Sequence, residues 1–254
     1  MQEKSLILFK PNDFDIPSMY DYVNDKLEKN NLSIENESLQ CLSMSQVCNL
    51  WSVISDDKLL YYIHAELYES VPIKILEVNG EGAINKVLKI KERVRSIYAK
   101  GIFRNCMHSP INIKEYNDHI ETIQNKNNAQ DFRFKELPYD TFKKLDGELC
   151  KKLARFIVNI NLYTMIPYVT PYYVSPNRYR CYMIEDEVNA FTDYVCFICD
   201  CFEQYDIYDS AILATILLTN GEVCLIDGND EKAVREILEK GRKYNLTMKL
   251  HCIE

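Results

Sequence analysis

The order of short apolar runs in the first half of the chain restricts the folds that it can adopt. A run rich in β-formers, Lys4–Phe9, precedes a segment with helical spacing, Ile16–Asn30, and the alternating run Leu32–Leu42 then indicates a half-buried strand. The further predicted elements are the helical stretches Ser43–Trp51, Asp56–Ser70, Ala83–Tyr98 and Asn112–Ile123 and the strand Ile73–Val78. With a short strand before the last helix, this is a split βαβ order. It predicts an antiparallel, ferredoxin-like sheet with helices on one face.

A polar stretch near the middle of the chain predicts a linker between two domains. Residues 124–131 lack apolar periodicity, and 254 residues are enough for two domains of ordinary size. We therefore predict a first domain over residues 1–126 and a second α+β domain over residues 136–254.

The second half carries its own helix and strand signals. An apolar stripe between Phe142 and Ile160 predicts its first helix. The dipeptide Asn220-Gly221 separates the apolar runs Ala211–Thr219 and Val223–Ile226, which predicts a β-hairpin. The other predicted features are a helix capped by Asn229 or Asp230 and stopped by Gly241, a closing strand at Leu246–Ile253, and a segment, Glu187–Tyr205, that periodicity leaves open between helix and strand.

The net charge of the chain limits the classes of partner that it can bind. A formal net charge of −8 and a pI near 5.2 argue against broad binding to nucleic acid or to an anionic membrane surface. An anionic small ligand remains compatible with this charge, because a few well-aimed cations are enough to bind it. No apolar stretch has the length of a signal peptide or a membrane span, so we expect a cytoplasmic protein.

The cysteines are interpreted as free thiols. Ten of them are scattered along the chain without an export signal, which is unlike the disulfide framework of a small secreted protein. Cys196 and Cys199 form a C-x-x-C pair, with Cys201 close behind. The pair lies in an apolar stretch with no second pair and no nearby histidine, which favours buried thiols over a zinc or redox site.

One five-residue motif indicates a specific chemistry. The segment RNCMH, Arg104–His108, resembles the active-site strand of nucleoside diphosphate kinases, in which Arg-Asn, two apolar residues and a histidine follow one another. The strand end Lys10-Pro11-Asn12 resembles the Lys-Pro-Asp step of the same family. Arg95 precedes Asn105 by ten residues, at the spacing of a phosphate-binding arginine in that family. The resemblance covers about residues 4–123, roughly half the chain.

The resemblance implies a fold, a reaction and a set of roles. It implies transfer of the γ-phosphoryl group of a nucleoside triphosphate to a nucleoside diphosphate by a ping-pong scheme, with His108 as the phosphate acceptor. Lys10 and Asn105 would contact the sugar and terminal phosphate, and Arg95 would bind phosphate oxygens. Mg²⁺ would bridge the nucleotide phosphates. A neutral imidazole suits this role because it is a competent nucleophile near physiological pH.

Two aromatic residues frame the nucleotide in that family, and the corresponding positions here hold other residues. Trp51 falls at one position, where it would stack on a base or fill the core. Leu59 or Leu60 falls at the other. A homo-oligomer is possible, and its form is left open because the loop before Arg95 is shorter than in the family.

Several residues around His108 depart from the family pattern. Ser109-Pro110 replaces a Gly-Ser pair, which stiffens the backbone after the histidine. The supporting glutamate of the family corresponds to His119, and Asp118 or Glu121 is the candidate replacement. A second phosphate-binding arginine is missing. Lys89 or Lys91 is the candidate substitute, and the alternative is that these lysines only solvate a helix face.

Two other functions compete with the kinase. A nucleotide-binding module could keep the fold and lose turnover, and a scaffold protein would use its surface without a ligand. The second domain could supply a protein partner. Its tyrosines, with Arg178 and Arg180 among them, would form a stacking surface or pack a β-rich domain.

Overall fold

A computed structural model describes residues 2–11, 16–125, 132–160, 178–186 and 188–252. The described residues form two compact units. The first lies within Met1–Asp56 and His64–Arg133, and the second within Asp57–Ile63 and Phe134–Glu254. Within the described ranges, no helix is long and apolar enough to cross a bilayer.

The first unit is a four-stranded antiparallel sheet with helices. Its strands are β1 (Gln2–Phe9), β2 (Ser33–Cys41), β3 (Pro72–Glu81) and β4 (Met107–His108). Its helices are α1 (Pro17–Lys29), α2 (Met44–Leu50), α3 (Val53–Asp56), the end of α4 (Lys58–Tyr68), α5 (Ala83–Tyr98) and α6 (Ile113–Gln124). The first residues of α4, up to Ile63, belong to the second unit. The strand order β2-β3-β1-β4 is that of a ferredoxin-like fold, which confirms the predicted class.

The core of this unit explains why the elements form. Leu6–Phe9 in β1 is buried throughout, because β1 is a central strand flanked by β3 and β4. In α5, Val87, Ile90 and Val94 recur at helical spacing and pack in one apolar cluster with residues of β1 and β3. That packing fixes the rotation of α5 about its axis, and so it fixes which of its polar residues can turn toward β4.

The second unit contains a smaller antiparallel sheet of order β6-β5-β7. Its strands are β5 (Tyr179–Ile184), β6 (Glu222–Gly228) and β7 (Met248–Cys252). Its helices are α7 (Asp140–Lys144), α8 (Gly147–Asn159), α9 (Phe191–Cys201), α10 (Ile207–Asn220) and α11 (Glu231–Lys243). The predicted second α+β fold is therefore present, and all ten cysteines are free thiols, as expected.

The predicted hairpin at Asn220-Gly221 is wrong. The apolar run before it belongs to helix α10, which is capped by the Asp206 carboxylate and buried from Ser210 to Leu217. Gly221 has a φ of 80° and is the left-handed residue that ends this helix, rather than part of a two-residue turn. A glycine that tolerates positive φ serves both structures, so the dipeptide alone could not distinguish them.

Other parts of the second unit also differ from the prediction. The single helix predicted between Phe142 and Ile160 is divided into α7 and α8, with Asp146 as the N-cap of the latter. Gly241 does not stop α11. It is needed there because a Cβ atom would lie 2.3 Å from Cγ of Met248. The segment Glu187–Tyr205, which periodicity left open, contains helix α9. The residues from Tyr163 to Tyr173 and most of the predicted linker lie outside the described residues.

Residues 57–63 group with the second unit, whereas the sequence prediction placed them inside a continuous first domain. The buried Asp57 carboxylate accepts hydrogen bonds from the backbone N–H groups of Leu60 and Thr192, both at 2.8 Å. The Thr192 hydroxyl donates to the same carboxylate at 2.5 Å and accepts from the N–H of Leu59 at 3.0 Å. The Lys58 ammonium donates to the carbonyl of Leu145. These bonds hold the start of α4 to residues of the second unit.

Replacing Asp57 by alanine is expected to lower the free energy of unfolding by about 2 kcal/mol, because buried N–H and hydroxyl donors would lose their carboxylate acceptor. Urea denaturation followed by circular dichroism measures this change. The neighbouring Asp56 is exposed, so Asp56→Ala is the matched control and should change stability by no more than about 0.5 kcal/mol. Equal effects of the two substitutions would contradict the structural role of Asp57.

Candidate active site

Strand β4 brings the predicted motif residues next to the end of β1. His108 pairs with Leu8, and the N–H of Lys10 donates to the carbonyl of Cys106 at 2.8 Å. Cys106 has a φ of 56°, a left-handed conformation that is uncommon for a residue other than glycine. This backbone turn immediately precedes the strand. It places Lys10 and His108 in the same region, as the resemblance requires.

Two cationic side chains of α5 reach the backbone of the histidine segment. Nε of Arg95 donates to the carbonyl of Met107 at 2.8 Å, and Nζ of Lys91 donates to the carbonyl of Ser109 at 3.2 Å. The two residues are four positions apart and so share a helix face. Each retains further N–H donors for an anionic ligand.

Lys89 does not belong to this cluster. It is displaced from Lys91 by two residues, or about 200° around the helix, and it lies on the exposed face. Leu59 is also excluded, because it has no exposed surface and is part of the second unit's core. Of the two candidate lysines, Lys91 is therefore the one that the structure brings beside the histidine segment, and Leu59 lies buried in the second unit.

The environment of His108 keeps its imidazole neutral. The residue is 9% exposed, and burial lowers its pKa well below the ordinary histidine value. His119 and the charges of Lys91, Lys10 and Arg95 lower the pKa of His108 further. At neutral pH the site therefore combines an uncharged imidazole with three neighbouring cations.

Trp51 contacts His108 directly. Its indole Nε1–H points at Nδ1 of His108 over 3.4 Å, a long hydrogen bond, and the two rings meet edge to face with centroids 5.3 Å apart. Nζ of Lys10 lies 5.3 Å from the centroid of the same indole ring. Because an indole N–H can only donate, Nδ1 must be the acceptor and the ring proton must be on Nε2.

Trp51→Phe is expected to weaken the preference of His108 for the tautomer protonated at Nε2. Loss of a hydrogen bond worth about 1 kcal/mol should change the ratio of the two His108 tautomers by about fivefold toward the form protonated at Nδ1. Nitrogen-15 NMR of the histidine rings measures the ratio, and the exposed His251 is the internal reference. An unchanged His108 spectrum would show that the indole does not set the tautomer.

A glutamate missed by the sequence interpretation faces the histidine. Oε1 of Glu115 lies 3.8 Å from Nε2 of His108 and 3.6 Å from Nε2 of His119. Its other oxygen, Oε2, accepts a hydrogen bond from the N–H of Ile111 at 2.6 Å. The two predicted acids, Asp118 and Glu121, are exposed and do not have this position. The signal for Glu115 was its spacing, one helical turn before His119.

Asn105 lies beside the site without a contact to the imidazole of His108 among the described hydrogen bonds. Its amide Nδ2 donates to the carbonyl of Ile102 at 3.1 Å and supports the turn before β4. Its Oδ1 is buried and has no hydrogen-bond partner in the described part of the chain. The predicted sugar or phosphate contact of Asn105 stays a prediction.

Comparison with known proteins gives structural neighbours for half of the chain. No family model and no curated protein matches the sequence. The chain is similar in structure to a nucleoside diphosphate kinase of Aquifex aeolicus, with 15% identity and a TM-score of 0.41 over 49% of this chain and 96% of that one. It is also similar to the nucleoside diphosphate kinase of Encephalitozoon cuniculi, with 14% identity and a TM-score of 0.41 over 51% of this chain and 95% of that one. Nucleoside diphosphate kinases are thus structural neighbours of the N-terminal part, as the resemblance predicted.

Proposed function

We propose that the first unit is a nucleoside diphosphate kinase-type phosphotransferase that works through a phosphohistidine at His108. The observation that carries the proposal is one buried imidazole with Lys10, Lys91 and Arg95 as charged neighbours. Phosphoryl transfer needs a positioned nucleophile and cations that neutralise the oxygens of the transferred group. The four side chains supply both requirements.

The tautomer of His108 supports Nδ1 as the reacting nitrogen of this proposal. Nδ1 carries the free electron pair and would attack the γ-phosphorus of a magnesium–nucleoside triphosphate substrate. The bond from that phosphorus to the β,γ-bridging oxygen breaks, and the nucleoside diphosphate leaves with the electron pair. The proton stays on Nε2, where the carboxylate of Glu115 stabilises the positive charge of the phosphorylated ring. A second diphosphate reverses these steps.

Trp51 has a defined part in this scheme. Its N–H occupies the electron pair of Nδ1 in the free protein, so the indole must give way when the γ-phosphate arrives. Lys91 and Arg95 are fixed by bonds to backbone carbonyls and are therefore in place before the nucleotide binds. Such fixed charges avoid the cost of reorganisation during the reaction.

A binding module without turnover is the second candidate, and one observation favours it. The His108 side chain is only 11% exposed, and Trp51 already contacts the nitrogen that would react. If the indole does not move, a nucleotide could be held by the cations without being cleaved. A homo-oligomer, a protein partner for the second unit and a cytoplasmic location remain predictions from the sequence.

Incubation of the full chain with radiolabelled ATP and Mg²⁺ tests the proposal. The kinase predicts a phosphoryl adduct that is labile in acid and stable in base, and its label should leave on addition of a nucleoside diphosphate. Fluorescence of the single tryptophan should change as nucleotide binds. A fluorescence change without labelling would replace the kinase with the binding module, and neither signal would overturn both.

A further inference from the structure

A second arrangement of side chains lies on the far side of the His108 ring. His108, Glu115 and His119 each place one potential ligand atom within 4.8 Å of the others. The glutamate and His119 are one turn apart on α6 and so project from the same helix face. His108 comes from β4, so two elements of the first unit supply the three groups.

The three groups lie close together but do not form hydrogen bonds with one another. The distances of 3.8 Å and 3.6 Å from Oε1 of Glu115 to the two Nε2 atoms are too long for hydrogen bonds. Nε2 of His108 is buried and has no hydrogen-bond partner in the described ranges. A buried polar atom without a partner costs about 1–3 kcal/mol, so this cluster calls for a ligand that would occupy its centre.

We propose that His108, Glu115 and His119 form a binding site for a divalent transition-metal ion such as Zn²⁺. Two imidazoles and one carboxylate are a common ligand set for zinc. Tetrahedral ligands at about 2.1 Å from zinc lie about 3.4 Å apart. The two observed distances therefore need to shorten by only a few tenths of an ångström, and a fourth position stays open.

The surroundings favour this assignment in two ways. His108 and His119 are both buried, at 9% and 3% exposure, which shields a bound ion from bulk water. Glu115 is oriented by the bond from the N–H of Ile111 to its other oxygen. Such outer contacts fix the direction of a ligand.

Binding would move one proton within the His108 ring. The free ring carries its proton on Nε2 because Nδ1 accepts from Trp51. When the metal takes the electron pair of Nε2, that proton passes through solvent to Nδ1, so no proton is lost overall. The contact of Nδ1 with the indole N–H then becomes a clash of two donors. The metal and the indole hydrogen bond are therefore mutually exclusive.

The site does not depend on the proposed kinase activity, but the two would interfere. A ring protonated at Nδ1 has no electron pair for phosphorus, so metal-loaded protein would not be phosphorylated. The positive charge of Lys91, which lowers the pKa of His108, would also repel a metal cation bound nearby. Its replacement by methionine should therefore strengthen metal binding while it weakens nucleotide binding.

Titration of the full chain with Zn²⁺, followed by nitrogen-15 NMR of the four histidines, tests the site. We expect one equivalent of Zn²⁺ to shift the ring signals of His108 and His119 and to leave His251 unchanged. Zinc bound only by the cysteines would leave all four histidines unchanged, and that result would overturn the proposal.

A variant gives a second, independent readout. Glu115→Gln should weaken the binding detected at the two histidines by at least about tenfold, because even outer-shell partners contribute that much. Trp51→Phe should strengthen it by about fivefold, since about 1 kcal/mol of competing hydrogen bond is lost. Equal affinity in Glu115→Gln and the natural chain would contradict the ligand set. None of these measurements uses ATP, so they distinguish failure of the metal site from failure of the kinase.

Discussion

His108→Ala is expected to abolish the acid-labile phosphoryl adduct and to lower transfer to nucleoside diphosphates by at least about 10³-fold. Removal of a nucleophile eliminates the covalent intermediate, and losses of this size or larger are typical. Transfer from ATP to a second diphosphate, measured by chromatography, gives the rate. The variant should still fold, because the lost ring has a buried nitrogen with no partner among the described residues.

His251→Ala is the matched control for this substitution. His251 is an exposed residue of β7 in the second unit, so its loss should change neither labelling nor transfer. Labelling that survives in His108→Ala would assign the adduct to another residue. Phosphohistidine mapping by mass spectrometry would then identify that residue, and the proposed role of His108 would be withdrawn.

Lys91→Met is expected to lower kcat/KM for the nucleotide by about 10²-fold, which corresponds to a lost charge-assisted contact of about 2–3 kcal/mol. Lys91 is 7% exposed, and burial lowers its pKa. Folding therefore bears a desolvation cost for this charge. The methionine variant should be at least as stable as the natural chain, so reduced activity without reduced stability would mark a functional charge.

The same helix provides the control. Lys89→Met removes an identical charge from the exposed face of α5 and should change kcat/KM by less than about twofold, because exposed charges are screened. Steady-state kinetics and thermal unfolding of both variants complete the comparison. If the two variants lost activity equally, the effect would come from the net charge and not from the site.

The fold of the first unit could be predicted because its signals are local. The apolar periodicity of α5 gave its two ends, Ala83 and Tyr98, and the order of strands was enough for the ferredoxin-like class. The hairpin at Asn220-Gly221 failed because a turn glycine and a helix-ending glycine need the same positive φ. The outcome there depended on burial of α10, which is a tertiary effect.

The site was only partly predictable for the same reason. Motif spacing led to His108, Lys10 and Arg95, which the structure brings together. The choice between Lys89 and Lys91 depended on the rotation of α5 about its axis. That rotation is set by the packing of Val87, Ile90 and Val94 in the apolar cluster and cannot be read from charge alone.

The spacing of residues along the sequence could not predict contacts between separate helices and strands. Glu115 was overlooked because its approach to His108 depends on where α6 lies relative to β4. The position of Leu59 depends on hydrogen bonds that Asp57 accepts from Thr192 and that Thr192 accepts from Leu59, both within the second unit. A linear comparison of motifs contains no information on either arrangement.

The most direct test of the account is a crystal structure of the chain with a magnesium–nucleoside diphosphate complex. We expect the diphosphate to contact the side chains of Lys91 and Arg95, with its terminal phosphate facing Nδ1 of His108 and the indole of Trp51 displaced from that nitrogen. A nucleotide bound elsewhere, with Trp51 still donating to His108, would contradict the proposed active site.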